Sequence, residues 1–281
     1  MLPLDGHVHT EWSWDAVAGS MEHSCARAEE LGLTSIAFTE HADFTRWMID
    51  PEVRAHLRWL NADWVGPDGR FDPPPLDVPA YLECVHRCRA RFPGLRILTG
   101  MELGEPHWHG DQVRSLLGRG AFDRLLGSVH SLALDGPRMV DHLFGRLEPG
   151  DLMAAYLSEA LRMIDSPAPF EVLAHIDYPV RHWPAQAGRF DAAVFEDEYR
   201  AVLGALAGSG RMLEVNTVLP FPAVLIRWWH EAGGDALAFG SDAHEPAAVA
   251  RDFARAAGMA EAAGFHPGRH RHDAWRRRPV R

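Results

Sequence analysis

Lysine is missing altogether: all 28 basic residues of the 281 are arginine. A P-loop enzyme needs a lysine on its phosphates, a protein kinase needs one on a strand, and Schiff-base chemistry needs an amine, so none of these classes fits. Cysteine is scarce, with three residues. Cys84 and Cys88 lie one helical turn apart and Cys25 is distant, so the tight spacing of a zinc knuckle is absent and reduced thiols are expected. No uncharged apolar run reaches about 18 residues, and the first residues have neither the basic nor the apolar region of a secretory leader. A cytoplasmic protein without membrane contact is expected.

The chain is 47% apolar and 24% charged, and its length suits one α/β barrel. Charge is uneven. Residues 266–281 hold six arginines against one aspartate, so of the net −11 the rest of the chain carries −16. Such a body repels a long polyanion, and no long nucleic acid is expected as a partner. The expected division is one domain over 1–265 and a solvated basic tail over 266–281.

Seven short apolar runs rich in β-formers recur: 2–7, 35–39, 96–101, 124–129, 171–174, 212–215 and 237–240. Amphipathic stretches with helical spacing alternate with them at 21–31, 81–92, 152–164, 195–206 and 247–263. This alternation predicts parallel βα units, and the runs are too apolar for either sheet face to be wet. Two long interruptions, 43–79 with Trp47, Trp59 and Trp64, and 131–150, are expected to form lids or walls over a pocket.

The informative polar residues fall where each run ends. His7 and His9 follow the first, Glu40 and His41 the second, Glu102 the third, His130 the fourth, His175 the fifth, Asn216 the sixth, and Asp242 with His244 the seventh. In a parallel barrel these ends meet at one mouth. His7 and His9, like Asp242 and His244, are two apart on an extended chain and point to one side. Imidazoles with carboxylates suit Zn, Fe or Mn better than Ca or Mg. A lone HxH carries little weight, since His107-Trp108-His109 repeats it. Six histidines and several carboxylates at ends of the same polarity are not what packing alone produces. Structural zinc sites are closed and usually cysteine-rich, which this set is not.

The stretches Asp5-Gly-His-Val-His-Thr, Thr39-Glu-His, Gly100-Met-Glu, Gly127-Ser-Val-His, Ala174-His-Ile-Asp, Glu214-Val-Asn-Thr and Gly240-Ser-Asp-Ala-His resemble the polymerase-and-histidinol-phosphatase (PHP) superfamily. The likeness runs co-linearly from residue 5 to about 245, and the Gly-Ser-Val-His and Glu-Val-Asn-Thr stretches look closest to its histidinol-phosphatase class. The resemblance implies a distorted seven-stranded (βα)7 barrel with three divalent metal ions at the C-terminal ends of its strands. It places His7, His9, Glu102 and Asp242 on the first ion, Glu102, His130 and His175 on the second, and Asp15, His41 and His244 on the third.

The implied activity is hydrolysis of a small-molecule phosphate monoester, above all L-histidinol phosphate in histidine biosynthesis, by in-line attack of a metal-bridging hydroxide. Glu102, Asp242 and His244 would serve the chemistry. A cationic centre attracts phosphate despite the acidic body, and does so without lysine. Arg138 and Arg181 are the candidates for bidentate phosphate contact, and Asn216 for orienting substrate. The alternative is a nucleotide or oligonucleotide phosphoesterase of the same superfamily. An amidohydrolase would need Glu102 in place of its usual carbamylated lysine.

Overall fold

A computed structural model describes residues 2–50, 62–270 and 272–277, so Trp59 lies outside the described residues. Seven strands stand side by side in chain order: β1 (Asp5–Val8), β2 (Ser35–Ala42), β3 (Arg96–Gly104), β4 (Arg124–Ser128), β5 (Val172–Leu173), β6 (Met212–Asn216) and β7 (Ala236–Gly240). Every neighbouring pair is parallel. Seven α-helices are seen among the described residues: α1 (Met21–Glu30), α2 (Val78–Arg91), α3 (Gly110–Leu117), α4 (Pro149–Asp165), α5 (Glu196–Ser209), α6 (Ala223–Glu231) and α7 (Phe253–Ala262). The five expected helices are present, with α3 and α6 in addition.

Every residue of β1, β2 and β7 is buried, as a sheet covered on both faces requires. The outer faces meet the helices in two large apolar clusters, one under α4 to α7 and one under α1 and α2. Inside, strand alternation sorts the rows. On β2 the inward row is Ala37, Thr39, His41; on β3 Leu98, Gly100, Glu102; on β7 Ala238 and Gly240, with Asp242 two residues beyond the strand. Each row begins on a small or apolar residue at the base and ends on a polar one at the mouth.

The sheet curls until β1 meets β7. Asp242 N–H donates to His7 O and His9 N–H donates to Ala243 O, each at 2.8 Å, across a parallel bridge of Val8 with Ala243. Towards the base, β7 pairs instead with an antiparallel strand β9 (Trp275–Arg277), itself paired with β8 (Phe265–His266). The architecture is thus a distorted (βα) barrel, closed at the C-terminal mouth and parted at the base.

Two expectations change. Strands β2 and β3 run to Ala42 and Gly104, so His41 and Glu102 lie within strands rather than after them. The eight-residue register of β2 on β3 carries the pairing past the point where apolar character ends. The basic segment beyond residue 265 is not simply a solvated tail. Trp275 is 3% exposed and packs edge-to-face on Phe239, with ring centroids 5.0 Å apart. Burial of that ring holds the segment in the sheet, and only 271 and 278–281 of it lie outside the described residues.

Replacing Trp275 by Ala should therefore cost about 3–5 kcal/mol in urea unfolding, the range for a buried aromatic. A cost below about 0.5 kcal/mol would mark a frayed terminus instead.

Candidate metal centre

All nine side chains expected to hold metal gather at the barrel mouth, with Glu102 among them. Its Oε2 lies 3.2 Å from His7 Nε2, His9 Nε2 and His41 Nδ1. Its Oε1 lies 2.7 Å from His175 Nε2 and 3.2 Å from His130 Nε2, and accepts from Ser128 Oγ–H at 2.6 Å. Asp242 Oδ1 stands 3.3 Å from His9 Nε2 and 3.6 Å from His7 Nε2. Asp15 Oδ2 lies between His244 Nε2 at 3.1 Å and His41 Nε2 at 3.3 Å.

Donor atoms of His7, His9 and Asp242 lie within 4.8 Å of one another, and the same holds for His9, His41 and His244 and for His41, Glu102 and His130. His41 thus faces two groups at once.

Groups behind the donors fix which ring nitrogen carries the proton. His7 Nδ1 is 2.7 Å from Glu214 Oε1, a carboxylate oxygen, so Nδ1–H is the donor. His9 Nδ1 is 3.0 Å from Ser13 Oγ. That hydroxyl donates its one proton to Glu40 Oε2 at 2.6 Å and accepts from His41 N–H at 3.0 Å, so His9 Nδ1–H must donate to it. When both rings are neutral, as metal ligation requires, His7 and His9 direct their Nε2 lone pairs at each other across 3.0 Å. Both face Glu102 Oε2, which is buried without a hydrogen-bond partner among the described residues. Unshared pairs converging on one point fit a cation, and His/carboxylate donors fit a transition metal.

Two donors sit on backbone that few residues adopt. His175 has φ 24° and Asp242 φ 51°. Each is held by its own amide: His175 N–H donates to Glu214 Oε2 at 2.8 Å, and Asp242 N–H to His7 O. Such strain persists only where surrounding bonds over-determine it.

With the protein's own groups alone, protons do the neutralising. Burial lowers the pKa of His7, but the carboxylates of Glu214, Glu102 and Asp242 outweigh it and hold the imidazole well above its usual range. The same contest, with Asp15 and Glu102 prevailing, lifts His41 to about 9. Burial would raise Glu102 and Asp242, yet imidazoles around the first and Arg181 with His7 around the second hold both well below the carboxylate range. His175 goes the other way, pushed down by burial.

Sequence reasoning left three partners without a role. Glu214 joins His7, His175 and, through a 3.0 Å bond from Nδ2, Asn216. Its signal was the two-residue step to Asn216 on β6. Asp43 stands 3.1 Å from His130 Nδ1 and accepts from Trp14 Nε1 at 3.0 Å; it was hidden at the edge of a supposed loop. Glu40 accepts from Thr10 and Ser13.

The cavity, about 60 Å³, is walled by Trp14, Trp47, Met139 and Tyr178 above the donors. Both long interruptions therefore supply walls. Trp47 is buried, stacks on Phe71 at 5.4 Å and donates from Nε1 to Ser131 Oγ at 2.6 Å.

Arg181 lines the cavity, its guanidinium 4.9 Å from the Tyr178 ring centroid, and its Nη2 donates to Asp242 Oδ2 at 2.5 Å and Asn216 Oδ1 at 3.2 Å. Asn216 is buried behind Asp242 and Arg181 and does not line the cavity. Arg138 does not line it either. Its Nη1 is committed to Asp50 at 3.0 Å, in an ion pair shared with Arg146, because a buried guanidinium needs a carboxylate. The expected phosphate contact by Arg138 is thus not supported by its placement. His107 and His109 also lie off the cavity, bound to Glu159 and Thr45.

The PHP domain model matches residues 5–218. The histidinol-phosphatase of Lactococcus lactis is 24% identical over 278 residues, 95% of this chain and 93% of that one. A probable histidinol-phosphatase of Deinococcus radiodurans is 28% identical over 269 residues, 90% of each chain. A crystal structure of the Lactococcus lactis histidinol phosphate phosphatase, complexed with zinc, L-histidinol and phosphate, superposes with a TM-score of 0.74 at 23% identity over 94% of both chains. Co-linear motifs, barrel topology and the gathered donors agree with these matches, and the chain belongs to the PHP domain family.

Proposed function

We propose that the protein is a metal-dependent phosphatase acting on a small phosphate monoester, with L-histidinol phosphate as its substrate and histidine biosynthesis in the cytoplasm as its setting. The carrying observation is the convergence of His7, His9, His41, His130 and His175 on the two oxygens of Glu102. The relatives named histidinol-phosphatases, matched over nine-tenths or more of their length, support the choice of substrate. We assign three divalent ions, Zn, Mn or Fe, to the donors: His7, His9, Glu102 and Asp242; Glu102, His130 and His175; Asp15, His41 and His244. Bound there, such ions lower the pKa of water and neutralise charge on a phosphoryl group.

The chain's own residues do the positioning. Arg181 presents to the cavity the N–H groups that Asp242 and Asn216 do not occupy, and a fixed guanidinium suits phosphoryl oxygens. Asp242 holds Arg181 and faces the His7/His9 pair, so it links phosphate recognition to the metal donors. Glu214 keeps His7 and His175 in register and commits the proton of His7 to the outer nitrogen. Trp14, Trp47 and Met139 narrow the mouth and limit water. His244, with 35% of its side chain exposed, is the most open of the nine and is assigned to the leaving alcohol.

Metal-loaded wild type should release phosphate from histidinol phosphate, and Glu102→Gln should lose more than about 10³-fold in kcat along with bound metal. Equal turnover by that variant, or turnover of nucleotides alone, would contradict the proposal. Arg181→Met should lower kcat/KM by about 10²-fold while metal content stays near wild type, since the arginine acts on phosphate. An unchanged kcat/KM would remove it from substrate binding.

The raised imidazoles also set a pH dependence. In the metal-free protein they stabilise the fold fully below the unfolded value of 6.5, and the contribution is lost as pH climbs through about 9 for His41. Ions require neutral imidazoles and bind better as protons leave. The gap in Tm between metal-loaded and stripped protein should therefore widen from pH 6.5 to pH 9. A gap that narrows over this interval would show that the imidazoles do not hold the ions.

A further inference from the structure

The inward row of β4 departs from the pattern of its neighbours. It begins at the base with a charged residue, Arg124, and continues through Leu126 to Ser128 at the mouth. Arg124 is 8% exposed. Its side chain runs past the α-carbon of Gly6, where an added Cβ would stand 3.7 Å from Arg124 Cδ. Its Nε is buried with no hydrogen-bond partner among the described residues, and burial depresses its pKa although Glu171, Glu214 and Asp123 pull the other way. Two other arginines of low exposure are treated differently: half-buried Arg181 is paired with Asp242 and buried Arg138 with Asp50.

Arg124 borders a groove of about 880 Å³ at the base of the barrel, opposite the metal centre. Arg269, Arg277, His266 and His272 border it too. Among the described residues, neither Arg269 nor Arg277 has a side-chain ion pair, whereas Arg276 is paired with Asp235. The acids of the groove are Glu261 and Asp273, and Asp273 is engaged by the His270 N–H at 2.9 Å and by His272 at 3.7 Å. Three guanidinium groups without carboxylate partners therefore share one concave surface of a chain whose net charge is −11.

We propose that this groove binds a small oxyanion, an inorganic phosphate or sulfate or the phosphoryl group of a metabolite, with Arg124 as its buried anchor and Arg269 and Arg277 closing over it. A planar guanidinium that is already desolvated offers paired donors to tetrahedral oxygens at little further cost. The site is independent of the metal centre and of the activity proposed for it. The acidic body and the single buried anchor favour a small ion over a polyanion.

Equilibrium dialysis of metal-loaded protein with radiolabelled sulfate, with and without saturating glucose 6-phosphate, measures the site and separates a free ion from a sugar phosphate. Selenate-soaked crystals locate it by anomalous scattering. The expected results are a selenate peak within hydrogen-bonding distance of Arg124 and sulfate binding weakened by about tenfold or more in Arg124→Met. Because Arg124 is buried, the exposed pair Arg269→Ser with Arg277→Ser gives a second reading, with the same weakening expected and phosphatase turnover retained. Unchanged sulfate binding in the paired variant, or selenate at the metal centre only, would overturn the proposal. So would a single-stranded oligonucleotide that binds where sulfate does not.

Discussion

Glu102 places one carboxylate oxygen 3.2 Å from ring nitrogens of three histidines and turns the other towards two more. Five imidazoles of the mouth meet at that one carboxylate. Burying a carboxylate costs free energy unless charge or hydrogen bonds compensate, and here the compensation comes from groups drawn from four other strand ends. The outer carboxylates Glu214, Glu40 and Asp43 then settle the orientation of the rings. They act on His7 directly, on His9 through Ser13, and on His130 directly. A donor set fixed from behind in this way is ready for cations before any arrive.

The barrel's distortion serves the same end. Hydrogen bonds between the end of β1 and the residues just after β7 close the sheet at His7, His9 and Asp242, so the residues that close it are those of the centre. Below that point β9 takes over the edge of β7, and the base is finished by Trp275 and the arginine-lined groove. Gly240 shows how tight the upper layer is, since a Cβ there would collide with Glu214 and His7. The positive φ of His175 and Asp242 belongs to the same layer, where the chain turns out of β5 and β7 on either side of β6.

Much of this was legible in the chain. Seven apolar runs separated by helical spacing specify parallel units, and polar residues at their ends specify a common mouth, because both follow from strand alternation and topology. The donors His7, His9 and Asp242 could be found by their two-residue steps. Glu214 and Asp43 could not be ranked among other acids, because their roles depend on pairing with residues 207 and 87 positions away. Arg138 was misleading for a related reason: a loop arginine after a donor histidine looks free until Asp50 is seen beside it. Trp275 was hidden among arginines, and only its contact with Phe239 shows that this charged stretch carries a strand.

The measurement closest to the central claim is an anomalous difference map of crystals grown with zinc, recorded on both sides of its absorption edge. The account predicts peaks between the Nε2 atoms of His7 and His9 and on the far side of Glu102 towards His130 and His175, with Glu102 touching both. A map with no peak at Glu102, while the rings keep their positions, would contradict it.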